Sequence, residues 1–367
     1  MREAVSNYDL IATVTTDLTY DRRMNRICDS LAQHGWKILL VGRELPNSKP
    51  LTKQNYEQYR LRCRFHRGVL FYVEIIVRMS LFLRKSKARK ILLADLDTIG
   101  VTLFRRRPHV KYIFDAHEWF TEVPELNHQP VKRWIWSLLG RWTVPYMEHA
   151  LTVSEPIAFE LSKKYRHPFT VIRNLPKSRQ IDAQVQKSHD LSDVLKAVYL
   201  GVLNPGRGLE QIIEVCSALP WLELLVIGDG PLAPTLKASV GDNSRVTFLG
   251  MVAPDQLSSS LNECHVGLNL LSPDSRSYEL SLANKFFDYA QAGLPSISMN
   301  FETYAKYDQQ YNCAYLLESL TSGELRSLLL SIRDDPDRWK SKCEGARRMS
   351  RELTWESEAQ RLIDLIQ

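Results

Sequence analysis

Runs of apolar residues the length of a strand alternate along this chain with segments whose apolar positions recur at helical spacing. Residues 10–14 form one such run. In 21–34 the side chains of Met24, Ile27, Cys28 and Leu31 fall on one helical face, closed by Gly35. Residues 36–41, 91–94, 110–114 and 149–153 predict further strands, with a helix through Leu103 and another opening at Ser154. This βαβα alternation predicts a doubly wound parallel sheet. Residues 174–193, from Pro176, Lys177 and Ser178 onward, carry no sustained apolar period and read as a polar linker. Beyond them the alternation resumes, with strands at 196–200, 222–227, 245–249 and 266–270 and a helix over 208–218. An amphipathic helix over 354–366 ends the chain. Two α/β units joined in this way usually bind a ligand in the cleft between them, at the carboxyl ends of the strands.

The pattern over 284–295 predicts a short helix opening on Asn284 and stopped by Gly293, with Pro295 just beyond and a strand at 296–299. Helical spacing puts Asn284 and Asp288 one turn apart on one face, beside Lys285. A helix N-terminus with a cation there can hold a phosphate, and a carboxylate one turn further in can take sugar hydroxyls. The same pattern fits an ordinary surface helix with an i,i+3 Lys285–Asp288 pair.

Composition narrows the class. A chain of 367 residues fits two domains, and 44% apolar with 25% charged residues excludes a disordered protein. The net charge of +6 is unevenly spread. Between residues 60 and 90, Arg60, Arg62, Arg64, Arg67, Arg78, Arg84, Lys85, Lys87, Arg89 and Lys90 stand against a single acid, Glu74. Such a block suits nucleic acid, an anionic membrane surface or a phosphorylated substrate, and also fits the solvated face of a helical pair. The six cysteines are far apart and form no Cys-x-x-Cys, which indicates a reducing compartment and argues against structural zinc. No signal peptide opens the sequence and no stretch reaches ~18 uninterrupted apolar residues. A cytoplasmic protein, at most peripheral to a membrane, is expected.

Several residues invite chemistry. His117, in Asp115-Ala116-His117-Glu118, follows a strand where an open parallel sheet presents its ligands. It is either a ligand-facing imidazole or a loop histidine satisfied by Asp115 or Glu118. Arg207 lies between Gly206 and Gly208, after a strand ending at Gly201. The glycines would let backbone approach an anion and the guanidinium can pair two phosphate oxygens, although a plain loop-to-helix turn has the same form. Asp95-Leu96-Asp97 resembles half of a metal site, but Asp97 suits a helix N-terminus and no third ligand is near in sequence. Gly228-Asp229-Gly230 lacks the Gly-x-Gly-x-x-Gly spacing of a dinucleotide fingerprint. Trp134, Trp136 and Trp142, among Lys132, Arg133 and Arg141, read either as an interfacial helix or, the more ordinary case, as indoles packed inward.

Taken in order, Asp115-Ala116-His117-Glu118, the 201–208 loop, Gly228-Asp229-Gly230-Pro231, Phe248-Leu249-Gly250 and the 284–295 stretch resemble motifs of glycosyltransferase family 4. The resemblance covers nearly the whole chain. It implies an α/β enzyme of the GT-B fold, with two Rossmann-like doubly wound domains facing a central cleft and a final helix crossing back to the first domain. The corresponding boundaries are 1–173 on the acceptor side, a linker at 174–193, a nucleotide-sugar domain at 194–350, and 351–367 packing on the first domain. The implied activity is retaining hexosyl transfer from a UDP- or GDP-linked sugar to a saccharide or lipid-linked alcohol, as in polysaccharide or glycolipid biosynthesis. Neither a cofactor, a metal nor nucleic acid is implied.

By position, His117 would contact the donor sugar, and Arg207 would hold the diphosphate and stabilise the leaving group. Asp288 would take the ribose hydroxyls, with Asn284 and Lys285 facing the phosphates and Gly206, Gly208, Gly228 and Gly250 lining the donor site. Three departures stand out. The first acid of the family's pair falls at Leu280, one residue from Glu279. Val202 stands where a second basic residue is usual, a charge Lys285 can supply. Thr15-Thr16-Asp17-Leu18-Thr19-Tyr20-Asp21-Arg22 replaces a glycine-rich loop, so Asp21, Arg22 and Glu118 become the acceptor-side candidates. An epimerase of the same fold and a catalytically silent sugar-nucleotide-binding subunit are the alternative readings.

Overall fold

A computed structural model describes residues 8–19, 21–104, 107, 109–123, 126, 129–178, 191, 193–241, 243–252 and 254–367. Most of the polar segment read as a linker lies outside them. Two compact units result, Met1–Asn174 with Glu358–Gln367, and Leu175–Ser357.

The first unit runs β1 (Leu10–Thr13), α1 (Arg22–Gln33), β2 (Ile38–Glu44), β3 (Glu57–Arg62), α2 (Gly68–Arg84), β4 (Lys90–Ala94) and α3 (Asp95–Ile99). It continues through β5 (Lys111–Ala116), α4 (Pro130–Thr143), β6 (His149–Thr152), α5 (Glu155–Tyr165) and β7 (Phe169–Val171). Its strands form one sheet in the order β3-β2-β1-β4-β5-β6-β7, and every pairing is parallel. Parallel strands covered on both faces need unbroken apolar runs, which is why 10–13 and 91–94 were legible as strands. Asp21 caps α1 by accepting the Met24 amide at 3.0 Å. The apolar stripe of α1 is fully buried at Met24, Ile27 and Leu31, each worth roughly 2 kcal/mol of transfer free energy.

The basic block does not form a helical pair. Arg60 and Arg62 sit on the edge strand β3, where only Leu61 is buried and the exposed charges discourage further strand pairing. Its cations are also partly neutralised. Arg60 pairs with Asp17 at 2.6 Å, Arg62 with Glu44 at 2.7 Å and Arg78 with Glu74 at 2.7 Å. The amides of Arg64 and Phe65 also donate to Glu74, and its carboxyl is held down to about 2 chiefly by the Phe65 amide.

The second unit comprises β8 (Leu195–Leu200), α6 (Leu209–Ala218), β9 (Leu222–Ile227), α7 (Ala233–Val240), β10 (Val246–Gly250), α8 (Pro254–Asn262) and β11 (Val266–Asn269). It goes on through α9 (Arg276–Leu280), α10 (Asn284–Gln291), β12 (Ser296–Met299), α11 (Glu302–Tyr311), β13 (Ala314–Leu317), α12 (Ser322–Asp334) and α13 (Pro336–Glu352). The sheet order is β10-β9-β8-β11-β12-β13, again with parallel pairing, and it reverses direction between β8 and β11. That reversal is where an open α/β sheet leaves room for a ligand.

The last helix, α14 (Trp355–Ile366), contributes Glu358 onward to the first unit. Glu358 is fully buried and accepts the Arg173 amide at 2.9 Å and its guanidinium at 2.8 and 2.6 Å. Removing a fully buried carboxylate that collects three donors from one arginine leaves those donors unmatched. Glu358→Ala is expected to lower stability by about 3 kcal/mol, read as a shift of the urea midpoint at constant slope.

Candidate functional site

Two polar centres form at the carboxyl ends of the two sheets. In the first unit, β5 ends at Ala116 and hands His117 to the loop beyond it. His117 Nε2 lies 3.1 Å from the Asp115 carboxylate and Nδ1 3.3 Å from that of Asp95. Its amide donates to Asp95 at 2.9 Å. Asp115 is fully buried and held by Arg23 through a two-pronged contact at 2.9 and 2.7 Å, while Arg23 also donates to the Ile172 carbonyl at 2.7 Å. Burial alone would depress the imidazole, but the flanking Asp95 and Asp115 outweigh it and hold His117 up to about 10. Burial works to raise Asp115, yet Arg23 and His117 keep it well below the carboxylate range. Burial lifts both Asp95 and Asp97 to about 6. His117 is therefore an imidazolium clasped between two acids, and its second partner is Asp95 rather than Glu118.

The acceptor-side candidates separate. Asp21 spends its carboxylate on the α1 cap and on Thr16 Oγ1 at 3.2 Å, because the glycine-free first loop closes through side chains. Arg22 and Glu118 are solvent-exposed. Asp97 accepts Thr15 Oγ1, so the Asp95-Leu96-Asp97 carboxylates are engaged by His117 and Thr15.

In the second unit the residues around the β8–β11 reversal come together. Gly206 and Gly208 adopt φ of 76° and 67°, and Ser272, past β11, donates its amide to the Gly206 carbonyl at 2.8 Å. A Cβ on Gly208 would sit 2.4 Å from Leu270 Cβ, so only glycine lets the loop lie against the residue that follows β11. Gly228 closes against Gly201 even more tightly, where a Cβ would be 1.9 Å from the Gly201 carbonyl oxygen. Gly250 accepts the Gly228 amide at 2.8 Å, aligning the ends of β9 and β10.

Arg207 and Lys285 meet this floor as two cations on aromatic platforms. The Arg207 guanidinium lies 4.7 Å from the Tyr278 ring centre, and the Lys285 ammonium 3.8 Å from that of Tyr199. Lys285 is 6% exposed, and its Nζ and Arg207 Nε are buried with no hydrogen-bond partner among the described residues. Burial, reinforced by the Arg207 charge, pushes the Lys285 ammonium well below the ordinary lysine range. The i,i+3 pair with Asp288 is not made, because α10 is not a surface helix. Phe286, Phe287 and Tyr289 pack inward, and Asp288 itself is 8% exposed. Asn284 opens the helix at an exposed position. Tyr289 places its hydroxyl between the strands, accepting the Leu200 amide at 2.9 Å and donating to the Leu268 carbonyl at 3.1 Å. Glu279 is exposed on α9, and Leu280 is half-buried.

Sequence reasoning passed over Tyr199, Tyr278, Arg23 and the role of Asp95. The one signal available was Arg23, which falls beside Met24 and Ile27 on the buried side of α1. An arginine there must find an internal partner.

Two parallel α/β sheets, with Arg207 and Lys285 gathered at the strand reversal of the second, define the class of scaffold. Residues 21–175 match the model of Glycosyltransferase Family 4 and residues 195–332 that of Glycosyl transferases group 1, and the chain belongs to the family-4 glycosyltransferases. No curated protein sequence matches it. Sucrose-phosphate synthase from Thermosynechococcus elongatus is similar in structure at 15% identity and a TM-score of 0.77, covering 97% of this chain and 98% of that one. WaaG, a glycosyltransferase involved in lipopolysaccharide biosynthesis, is similar at 14% identity and TM-score 0.75, over 97% and 99%. HepE from Anabaena, in complex with UDP and glucose, is similar at 12% identity and TM-score 0.73, over 98% and 99%. At these identities the likeness establishes the GT-B fold.

The clasp on His117 has a direct consequence in solution. Its folded value is raised above the ordinary 6.5, so its stabilisation is complete below about 6.5 and lost as pH rises through about 10. An NMR titration is expected to show His117 still protonated at neutral pH, and His117→Gln should remove that part of the alkaline loss of stability.

Proposed function

We propose that this glycosyltransferase moves a hexosyl group, with retention, from a UDP- or GDP-linked sugar to a saccharide or lipid-linked alcohol. The observation that carries the reading is the pair of cations at the β8–β11 reversal, stacked on tyrosines with donor hydrogens unspent. The complexes of HepE with UDP and glucose and with UDP-glucose support a UDP-hexose.

In this reading Arg207 and Lys285 hold the donor diphosphate, and Asp288 takes the ribose hydroxyls. The ammonium of Lys285 lies 4.0 Å from where a Gly201 Cβ would be, beside the exposed Val202, so its charge serves where a basic side chain at 202 would otherwise act. The arriving dianion would raise the depressed lysine and bring it to full charge. As the bond from the anomeric carbon to the phosphate oxygen breaks, negative charge collects on the departing diphosphate, where the two cations stabilise it. The acceptor oxygen forms its bond on the same face and its proton passes to the departing phosphate oxygen. Because two cations supply the countercharge, the step is proposed to need no metal. The first unit would carry the acceptor. His117 contributes a fixed positive edge there, and its looser carboxylate contact, 3.3 Å to Asp95, is the one a sugar hydroxyl would replace. A lipid-linked acceptor is supported by α2, where exposed Val69, Leu70 and Val73 adjoin Arg67.

A silent sugar-nucleotide-binding subunit is the second reading, favoured by Leu280 at the first-acid position and by the exposure of Glu279. Slow hydrolysis of the donor by the purified chain would exclude it, and interconversion of donors without acceptor would instead indicate an epimerase. Arg207→Ala is expected to cut turnover at least ~100-fold and to weaken the thermal shift produced by UDP or GDP. Near-normal turnover in that variant would overturn the role given to the cation pair.

A further inference from the structure

Helix α4 is apolar on two sides. Its inner side buries Trp136, Gly140 and Thr143, with Trp136 edge-on to Tyr72 at 5.0 Å and to Phe120 at 5.4 Å. Its outer side leaves Val131 69%, Trp134 64%, Ile135 50% and Trp142 60% exposed. These positions recur at helical spacing and so line up along one outward stripe. Tyr146, just past the helix, and Phe159 on α5 are equally bare. Two of the three indoles that the sequence would ordinarily place inside the domain therefore face solvent. So much contiguous exposed apolar surface marks a contact surface.

The charges around the stripe are mostly basic, with Glu122 and Glu160 the acids among the residues lining the groove beside it. A groove of about 1120 Å³ is lined by Trp134, Arg141, Lys163, Lys164, Tyr165 and Arg166, among others. The Lys164 amine donates to Thr121 Oγ1 at 2.7 Å, and its ammonium lies 5.8 and 5.7 Å from the Trp119 and Tyr165 ring centres. Arg133 is spent on Glu122, but Lys132, Arg141, Lys163 and Arg166 form no ion pair among the described residues. A protein partner would call for acids matched to fixed positions. A bilayer needs only apolar anchors beside unpaired cations, which is what this face offers.

We propose that the face formed by α4 and α5 docks on an anionic lipid bilayer. Trp134 and Trp142 would sit at headgroup level, Val131 and Ile135 would reach the acyl boundary, and Arg141, Lys163 and Arg166 would meet the lipid phosphates. No helix among the described residues is long and apolar enough to cross a membrane, so the contact is a surface one. The inference extends the lipid-linked acceptor reading but rests on a different surface from α2, and it stands whichever sugar is transferred.

The test is co-sedimentation with vesicles of phosphatidylcholine alone or mixed equally with phosphatidylglycerol, at low and high salt. The intact protein is expected to bind the anionic vesicles, release at high salt and ignore the neutral ones. W134S/W142S and R141E/K163E should each lose about tenfold or more in vesicle affinity, while R67E/R84E at the two ends of α2 loses less. Brominated acyl chains should quench the fluorescence of the intact protein and spare W134S/W142S. All the substituted side chains are exposed, so melting temperatures should hold. Failure of the intact protein to bind, or unchanged binding by both α4–α5 variants, would overturn the proposal. Loss of binding confined to R67E/R84E would overturn it too, assigning the membrane contact to α2 and leaving the lipid-linked acceptor reading intact.

Discussion

The hydroxyl of Tyr289 holds the second unit together at the place where its sheet reverses. Between β8 and β11 the loops diverge, and the Leu200 amide and Leu268 carbonyl would be left facing each other's gap. Tyr289 bridges them, and its ring fills the space where a Cβ on Gly267 would lie 2.2 Å away. Burial pushes the phenol well above its ordinary range, so it remains a neutral donor and acceptor. Because α10 is pinned there, Lys285 one turn earlier is carried over Tyr199, and the loop bearing Arg207 is clamped against the residue that follows β11 by the bare Cα of Gly208. The cation cradle is thus a product of close packing, with small residues and one tyrosine deciding where two charges end up.

The first unit solves the opposite problem. Its polar centre is a chain of alternating charges, Arg23, Asp115, His117 and Asp95, packed at the ends of β4 and β5. Each member would be costly to bury alone, and each is tolerated because a neighbour of opposite sign lies within hydrogen-bond reach. A histidine held this way is a permanent cation rather than a proton shuttle near neutral pH. Its contribution to a reaction is therefore a fixed field and an oriented edge.

Most of the architecture was legible from apolar runs. The strands at 10–13 and 91–94 are buried on both faces, so their composition betrays them. The edge strand Glu57–Arg62 and the short Phe169–Val171 were not legible, since an edge strand with one buried leucine has no apolar signal and looks like charged coil. For the same reason the helical pair, one of the two readings open for residues 60–90, does not form, since β3 precedes α2 there. Trp134, Trp136 and Trp142 show the limit from another side. Their spacing places them on a helix, but which side of that helix the unit covers depends on Tyr72 and Phe120, from elements distant in the chain.

The amino-acid sequence by itself determined the βαβα order, the two-unit plan, the family motifs and the glycines that close the strand ends, because these rest on local propensity and on periodicity. Only the tertiary structure decided the electrostatic state of the site. It alone set Asp95 against His117, stacked Lys285 on Tyr199 and Arg207 on Tyr278, and left Trp134 and Trp142 in solvent. Those outcomes depend on which side chains meet across many tens of residues and on how much water the meeting excludes. Neither quantity is encoded in any one stretch of the chain.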